Sequence, residues 1–318
     1  MRIMLNILAN NIFPIFLLVG LGYMSAKKFS MDIGTLTKIN FYLLVPSFTF
    51  VYLYSTPIPL EMLKVLAAAV IIMIVNTGAA SLLSKFRKFD SGMKYAFINS
   101  VIFYNSGNIG IPLITLIFSR PPFIIDGQTP FLNAALTAQI MVLTVQNITT
   151  NTLGFFNAGK AKMKWKDSLK KIFKMPAVYM IPSAFLLKAL PLDLTKMPFW
   201  PALEYLRNAL VATALIILGI QLARTKLHKP DQNILLSSVL RLLGGPLLAL
   251  GVIFLLKLEG IPAQVTLISS SVPTAVNTAL IAVEYKNYPD FASRAVLYST
   301  VLCTATLPFI IYLAQTLF

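Results

Sequence analysis

Residues 103–113 read Phe-Tyr-Asn-Ser-Gly-Asn-Ile-Gly-Ile-Pro-Leu and interrupt an apolar run that extends over 94–119. Two amides, two glycines and a proline inside such a run predict a broken helix, because proline lacks an N–H and clashes with the preceding turn. A second interruption, Ser-Ser-Ser-Val-Pro-Thr-Ala-Val-Asn-Thr at 269–278, lies in the apolar run at 262–284. At membrane depth, broken backbone is tolerated only where it is buried in protein or lines a cavity.

The rest of the chain is too apolar for a soluble protein. Of its 318 residues 57% are hydrophobic and only 12% are charged, against about 25% charged in ordinary soluble domains. Hydropathy predicts an all-α polytopic membrane protein with ten spans, since about 20 apolar residues cross a bilayer. The predicted spans are 7–26, 36–55, 62–84, 94–119, 130–156, 176–190, 202–223, 233–256, 262–284 and 291–317. The first is interpreted as a retained span, because it is long and two lysines follow it.

Basic residues are concentrated in alternate loops. One set of loops holds 19 Lys and Arg residues and the opposite set holds six. The positive-inside rule places the richer set in the cytoplasm, so we expect both termini outside, in the plasma membrane or the inner membrane of a bacterium. This topology accounts for the net charge of +16, and no nucleic-acid partner is expected.

The longest basic loop divides the chain in two. It covers 157–175 and separates a half at 1–156 from a half at 176–318, with five predicted spans in each. An odd number of spans per half predicts two inverted repeats, as in many secondary transporters. The lysines of 160–174 are interpreted as topology anchors. The alternative is that they bind anionic lipid headgroups, at about 1 kcal/mol per residue near the surface.

The two broken spans are the fourth of each half, and such a pair is a sequence indication of a transporter binding site. We expect the second half of each broken helix to begin near Pro112 or Pro273, with free N–H groups and a positive dipole end at the break. That end favours an anion, and the amides of Asn105, Asn108 and Asn277 can add hydrogen bonds. The structural alternative is that prolines and glycines only mark packing kinks.

The 105–113 segment resembles the Asn-x-Gly-Asn-x-Gly-x-Pro-Leu signature of the auxin efflux carrier family, which includes plant carriers and bacterial organic-acid permeases. Three further segments are similar to that family: Leu44-Val45-Pro46-Ser47, Leu218-Gly219-Ile220-Gln221-Leu222 and Ser299-Thr300. The chain lacks the long hydrophilic central loop of the plant carriers, so it resembles the short prokaryotic members.

The resemblance implies a fold like that of bile-acid sodium symporters, with helices 4 and 9 crossing at Pro112 and Pro273. Helices 3 to 5 and 8 to 10 would move as a core against a scaffold of helices 1, 2, 6 and 7, in a homodimer. Substrate would lie between core and scaffold, facing Asn105, Asn108 and Asn277. Further candidate wall residues are Asn40, Ser47 and Gln139, and Gly107 and Gly110 are candidate hinges of the break.

The acidic residues indicate the driving force. All eleven lie in loops or near span ends, so no midplane carboxylate is available to carry a proton. The membrane potential alone provides about 2.3 kcal/mol per charge per 100 mV for outward movement of an anion. We therefore predict uncoupled, elevator-like efflux of a small organic anion, auxin-like or similar to malate and malonate, with no resident cofactor or metal. The alternatives are proton coupling, or Na⁺ coupling through backbone carbonyls and the oxygens of Ser270, Ser271, Thr274 or Asn277.

One arginine, Arg241, lies inside the eighth predicted span. We expect it to extend to the inner headgroups, because long basic side chains reach the interface while their stems stay in apolar surroundings. The alternative is a counter-charge for a second carboxylate of the substrate.

Other function classes fit the sequence less well. An intramembrane enzyme would need a nucleophile with its base, a carboxylate pair or metal ligands, whereas the chain has a single histidine, His228, in a basic loop and a single cysteine, Cys303. We therefore predict that the chain is not an enzyme. An anion channel could use the same two helix ends, and a receptor would bind a ligand without moving it.

Overall fold

The computed structural model describes residues 13–56, 61–159, 176–224 and 230–318. The structure is 82% helix, and the described ranges contain no β-strand. The helices are α1 (Phe13–Lys28), α2 (Ile33–Ser55), α3 (Glu61–Phe86), α4a (Ser91–Ile102), α4b (Ser106–Phe118), α5 (132–159), α6 (Pro176–Lys188), α7 (Trp200–Arg224), α8 (Gln232–Leu255), α9a (Gly260–Ser270), α9b (Val276–Glu284) and α10 (Pro289–Leu317). They lie over the apolar runs found in the sequence. The basic loop with the lysines of 160–174 lies outside the described residues.

Five of the described helices, α2, α3, α7, α8 and α10, are long and apolar enough to cross a membrane. Large apolar side chains also lie exposed on the outer surface, such as Leu186, Leu247 and Leu255, each at least 69% exposed. Extensive exposed apolar surface is a sign of contact with lipid or protein. These features confirm an all-helical polytopic membrane protein, while the ten-span inverted repeat stays a prediction.

The helices pack in two groups. One consists of α1, α2, α6 and α7, and the other of α3, α4a, α5, α8, α9a, α9b and α10, while α4b lies between them and packs against both α5 and α7. The most extensive contact joins α1 to α7, where a Cβ on Gly219 would overlap the carbonyl oxygen of Val19, and one on Gly22 would overlap that of Ile216. Small residues of this kind let membrane helices approach closely.

Three loops meet at one end of the molecule. Asp90 and Asp231 cap α4a and α8 by accepting backbone N–H groups. The Tyr288 hydroxyl donates to Asp90, and Arg294 lies 3.7 Å from Asp231. The hydrogen bond from Tyr288 is the main cause that lowers the pKa of the Asp90 carboxyl, with backbone N–H groups adding to it. All three loops belong to the set that is rich in Lys and Arg, and the structure places them at the same end of the molecule.

Three helices contain a π-helical turn directly before a proline. The turns are Asn40–Leu44 in α2, Ser106–Gly110 in α4b and Leu240–Gly244 in α8, and the prolines are Pro46, Pro112 and Pro246. In each case the residue before the proline donates its N–H five residues back. The wider turn lets the helix continue past the ring, which an ordinary α-helical turn does not accommodate. The expected break at Pro112 is therefore displaced, and the chain is interrupted at 103–105 instead.

Candidate functional site

The broken segments 103–105 and 273–275 cross as two short extended segments that run in opposite directions. Tyr104 pairs with Thr274 in an isolated antiparallel bridge. The N–H of Asn105 donates to the carbonyl oxygen of Pro273 at 2.8 Å, and that of Ala275 donates to the carbonyl oxygen of Phe103 at 2.9 Å. The backbone N–H and C=O groups that each break leaves without helical partners thus form hydrogen bonds with the other break. Buried backbone groups need such partners.

Neighbouring helices hold the crossing in place. The Thr274 hydroxyl donates to the carbonyl oxygen of Ser100 at 2.7 Å, and its N–H donates to the Ser299 hydroxyl of α10 at 3.1 Å. The N–H of Tyr104 donates to Gln146 Oε1 of α5 at 3.1 Å. The crossing is therefore tied to α4a, α5 and α10, all of the same helix group.

The N-terminal ends of α4b and α9b open onto one small cavity of about 40 Å³. Its walls come from both breaks, from α5 and from α2, and its polar or aromatic lining includes Phe41, Tyr104, Asn105, Asn108, Gln146, Asn147 and Asn277. Each helix N-terminus carries about half a positive elementary charge. No acidic or basic side chain belongs to this lining in the described part of the chain, so the positive ends of the two helices act on the cavity without a charged side chain in contact with it.

The asparagines form a chain at this cavity. Asn105 Oδ1 accepts the N–H of Asn108 at 3.1 Å and caps α4b, while Asn108 Oδ1 accepts Nδ2 of Asn40 at 3.0 Å. Asn105 is only 6% exposed, and its Nδ2 has no hydrogen-bond partner among the described residues. A buried donor without a partner is rare in folded proteins. This unpaired donor is itself buried, in a residue that lines the cavity.

The other candidate residues lie at different distances from the cavity. Asn277 is partly exposed and lines it, and Pro273 lies at the crossing itself. Pro112 is buried further along α4b and is not part of the lining. Ser47 lines a separate, mostly apolar cavity of about 460 Å³ between α2, α6 and the start of α7. Gln139 lies behind the site, where it donates to the carbonyl oxygen of Ser106 at 2.8 Å and accepts the Ser269 hydroxyl.

The two candidate hinge glycines differ in their surroundings. A Cβ on Gly107 would lie 3.5 Å from the Leu143 side chain, an ordinary contact, whereas a Cβ on Gly110 would lie 2.5 Å from Gln139 Nε2. Gly110 is therefore needed for the close approach of Gln139 to the start of α4b. Gly107 has room for a methyl group.

Arg241 does not extend to a headgroup. It is fully buried, its Nη1 donates to the carbonyl oxygen of Val101 at 2.7 Å, and its Nη2 donates to that of Ser270. Its Cζ lies 4.7 Å from the centre of the Tyr104 ring. The expectation of an interfacial side chain is wrong, because the last turns of α4a and α9a supply internal carbonyl partners. The cavity lining does not include Arg241.

Among the amide side chains of the lining, two were missed in the sequence, Gln146 and Asn147. Gln146 lies seven residues after Gln139, two helical turns further along the same face of α5. A repeated glutamine on one face of an apolar helix was the available signal.

The chain is similar to known transport proteins. A family described as membrane transport protein matches residues 7–311. A relative described as an uncharacterized transporter, from Methanothermobacter thermautotrophicus (strain ATCC 29096 / DSM 1053 / JCM 10044 / NBRC 100330 / Delta H), is 27% identical over 283 residues, which is 87% of each chain.

Proposed function

Since the chain belongs to the membrane transport protein family, we propose that it is a secondary transporter of small organic anions. The resemblance to auxin efflux carriers is confirmed, as is the prediction of a transport protein and not an enzyme. The observation that supports an anionic substrate is the meeting of two helix N-termini and the unpaired Nδ2 of Asn105 at one cavity. The proposed substrates are carboxylates, either auxin-like acids or acids similar to malate and malonate.

The cavity lining is suited to binding a carboxylate reversibly, as a carrier must do to release its substrate. Helix N-termini bind anions through free N–H groups and the dipole, and asparagine amides add neutral donors. A lysine or arginine in the lining would form a strong charge-assisted pair with the substrate and slow its release. The lining uses dipoles and amides instead, which favours reversible binding.

We further propose elevator-like alternating access. In this account α3 to α5 and α8 to α10 form the moving core, and α1, α2, α6 and α7 form the scaffold. If α6 to α10 repeat the order of α1 to α5, the contact of α1 with α7 is equivalent to the contact of α6 with α2. The contact of α3 with α5 is likewise equivalent to the contact of α8 with α10. This correspondence supports two repeats, inverted as the odd number of predicted spans requires.

The substrate would bind at the boundary of core and scaffold, because Phe41 of α2 and Asn108 of α4b both line the cavity. Its volume of about 40 Å³ holds water but no organic acid. Entry of the substrate therefore requires the two groups to separate. The hydrogen bond between Asn40 and Asn108 spans this boundary and would break during that movement.

The proposed driving force is the membrane potential. Moving one negative charge outward across 100 mV releases about 2.3 kcal/mol of free energy. The proposed location is the plasma membrane, or the inner membrane of a bacterium, with both termini outside. The contacts among three basic loops at one end of the molecule support this orientation. A homodimer and lipid binding at 160–174 stay predictions.

Counterflow in proteoliposomes tests the proposal. Liposomes loaded with an excess of one unlabelled acid are diluted into a trace of the labelled acid, with a panel of carboxylates. A carrier accumulates label transiently and saturates, whereas a channel only equilibrates it. We expect counterflow with at least one carboxylate and its loss in Asn108→Ala. Asn76→Ala is the matched control, because Asn76 is a buried asparagine of α3 that donates to its own helix. Failure of the whole panel in both binding and counterflow would contradict an organic-anion carrier.

A further inference from the structure

The side of the crossing that faces away from the cavity contains a buried positive charge. There α4a and α9a end, and their last turns present the carbonyl oxygens of Val101 and Ser270 to the same guanidinium, that of Arg241. The C-terminal end of a helix carries about half a negative elementary charge. Two such ends thus meet one cation.

Local features of α8 place this guanidinium. Arg241 lies in the π-helical turn Leu240–Gly244, and the turn is followed by Gly245, where a Cβ would lie 2.7 Å from Nη2 of Arg241. Glycine at that position leaves room for the guanidinium. The Tyr104 ring covers it at 4.7 Å, in the arrangement of a cation over an aromatic face.

No carboxylate neutralises Arg241 in the described part of the chain, where its partners are carbonyl oxygens and an aromatic ring. Its charge is balanced instead by the two helix ends. We propose that Arg241 is a fixed counter-cation, which occupies the place that a bound coupling cation would take at the converging C-termini. This inference rests on the proposed function, because it specifies how the carrier works without a co-transported cation.

Of the four side chains named as possible Na⁺ ligands, three donate their hydroxyls to backbone carbonyl oxygens near Arg241, and the fourth, Asn277, lines the cavity on the other side of the crossing. The carbonyl oxygen of Ser270 is bound by Arg241. The Ser270 and Ser271 hydroxyls donate to carbonyl oxygens of their own helix, and that of Thr274 donates to the carbonyl oxygen of Ser100. A sodium ion needs several oxygens at short range, and a guanidinium in their midst repels it. In this proposal Arg241 excludes Na⁺ from its side of the crossing, and the substrate charge crosses the membrane without a cation bound there.

Chemical rescue tests this assignment. Arg241→Ala removes the cation and leaves the two helix ends in place, so millimolar guanidinium should raise its melting temperature in detergent by at least about 2–4 °C, measured against choline at the same ionic strength. Wild-type protein and Arg207→Ala should show no such selective shift. Arg207 is a matched control because it is another arginine over an aromatic ring, with its Cζ 5.3 Å from the centre of Tyr52. An equal response of Arg241→Ala to guanidinium and choline would overturn the proposal.

A second comparison needs no variant and holds even where Arg241→Ala does not fold. The melting temperature of the wild-type protein, and any carboxylate response, should be the same in sodium and choline. A sodium-specific stabilisation of wild type would overturn the fixed-cation assignment. Lack of any response to carboxylates would instead contradict the proposed function, while guanidinium rescue of Arg241→Ala would still stand.

Discussion

The two sides of the helix crossing are built from the same kind of backbone interruption, but they differ in charge and in occupancy. On one side the N-termini of α4b and α9b open onto a cavity with neutral amides and a free donor, the Nδ2 of Asn105. On the other side the C-termini of α4a and α9a are closed by the side chain of Arg241. In the proposed mechanism, one crossing provides a permanent cation for its negative helix ends and leaves its positive ends to a mobile anion.

The largest effect is expected on the closed side. Arg241→Met removes the donors to two buried carbonyl oxygens, and each unsatisfied buried group costs about 1–3 kcal/mol. We expect a strongly lowered melting temperature in detergent and poor recovery of folded protein. A variant that melts with the wild type would show that the guanidinium does not stabilise the crossing.

Changes on the open side should affect binding more than folding. Asn105→Ala removes the free donor, and a hydrogen bond to a charged group contributes about 1.5–3 kcal/mol, which corresponds to a loss of affinity of about 10–100-fold. The lost cap of α4b adds a stability cost of about 1 kcal/mol. Calorimetric titration with the preferred carboxylate measures the affinity, with Asn76→Ala as the control. Unchanged affinity would place the substrate elsewhere.

The open side also contains a packing contrast between two glycines. Gly110→Ala should cost about 1–3 kcal/mol, because the added methyl group displaces Gln139 from the carbonyl oxygen of Ser106. Gly107→Ala should be nearly neutral, since its methyl group meets only Leu143 at an ordinary distance. Thermal melts of the two variants measure this. Equal destabilisation would assign both glycines to a hinge, as the sequence pattern predicts.

The smallest effect is expected at an exposed charge far from the crossing. The Tyr288 hydroxyl is the main cause that lowers the pKa of the Asp90 carboxyl. A lowered pKa stabilises the folded state above the ordinary pKa of aspartate, and this stabilisation is lost as the pH falls through the lowered value. Tyr288→Phe should therefore be less stable than the wild type above the ordinary pKa of aspartate, and this difference should vanish as the pH falls through the lowered value. If thermal melts of both proteins coincide at every pH, this surface pair, unlike the buried Arg241, does not contribute to the stability of the folded state.

The open side of the crossing was largely predictable from sequence, and the closed side was not. The prolines, glycines and amides of 103–113 and 269–278 are adjacent along the chain, so they identify the break and Asn105, Asn108 and Asn277. The partners of Arg241 come from α4a and α9a, which no local pattern connects to α8. Its burial depends on that three-dimensional meeting, and the general tendency of arginine to extend to headgroups gave the wrong expectation.

The exact place of the break was also beyond the sequence. Proline chemistry predicts interruption at Pro112, but the preceding π-helical turn, Ser106–Gly110, lets the helix pass the ring. The interruption therefore falls at 103–105, where Asn105 caps the new helix and pairs with Pro273. The sequence located the polar segment that contains the interruption, but proline chemistry placed the break at Pro112 and not at 103–105.

The central claim is that the positive helix ends bind a mobile anion without a coupling cation. Transport current on a solid-supported membrane tests it most directly, with purified protein in liposomes and a carboxylate panel in sodium and in choline buffers. The account predicts a saturable current with at least one carboxylate, equal in both buffers, with the half-saturating concentration raised about 10–100-fold in Asn105→Ala and unchanged in Asn76→Ala. A current that appears only with a sodium gradient, or one whose half-saturating concentration is unchanged in Asn105→Ala, would contradict it.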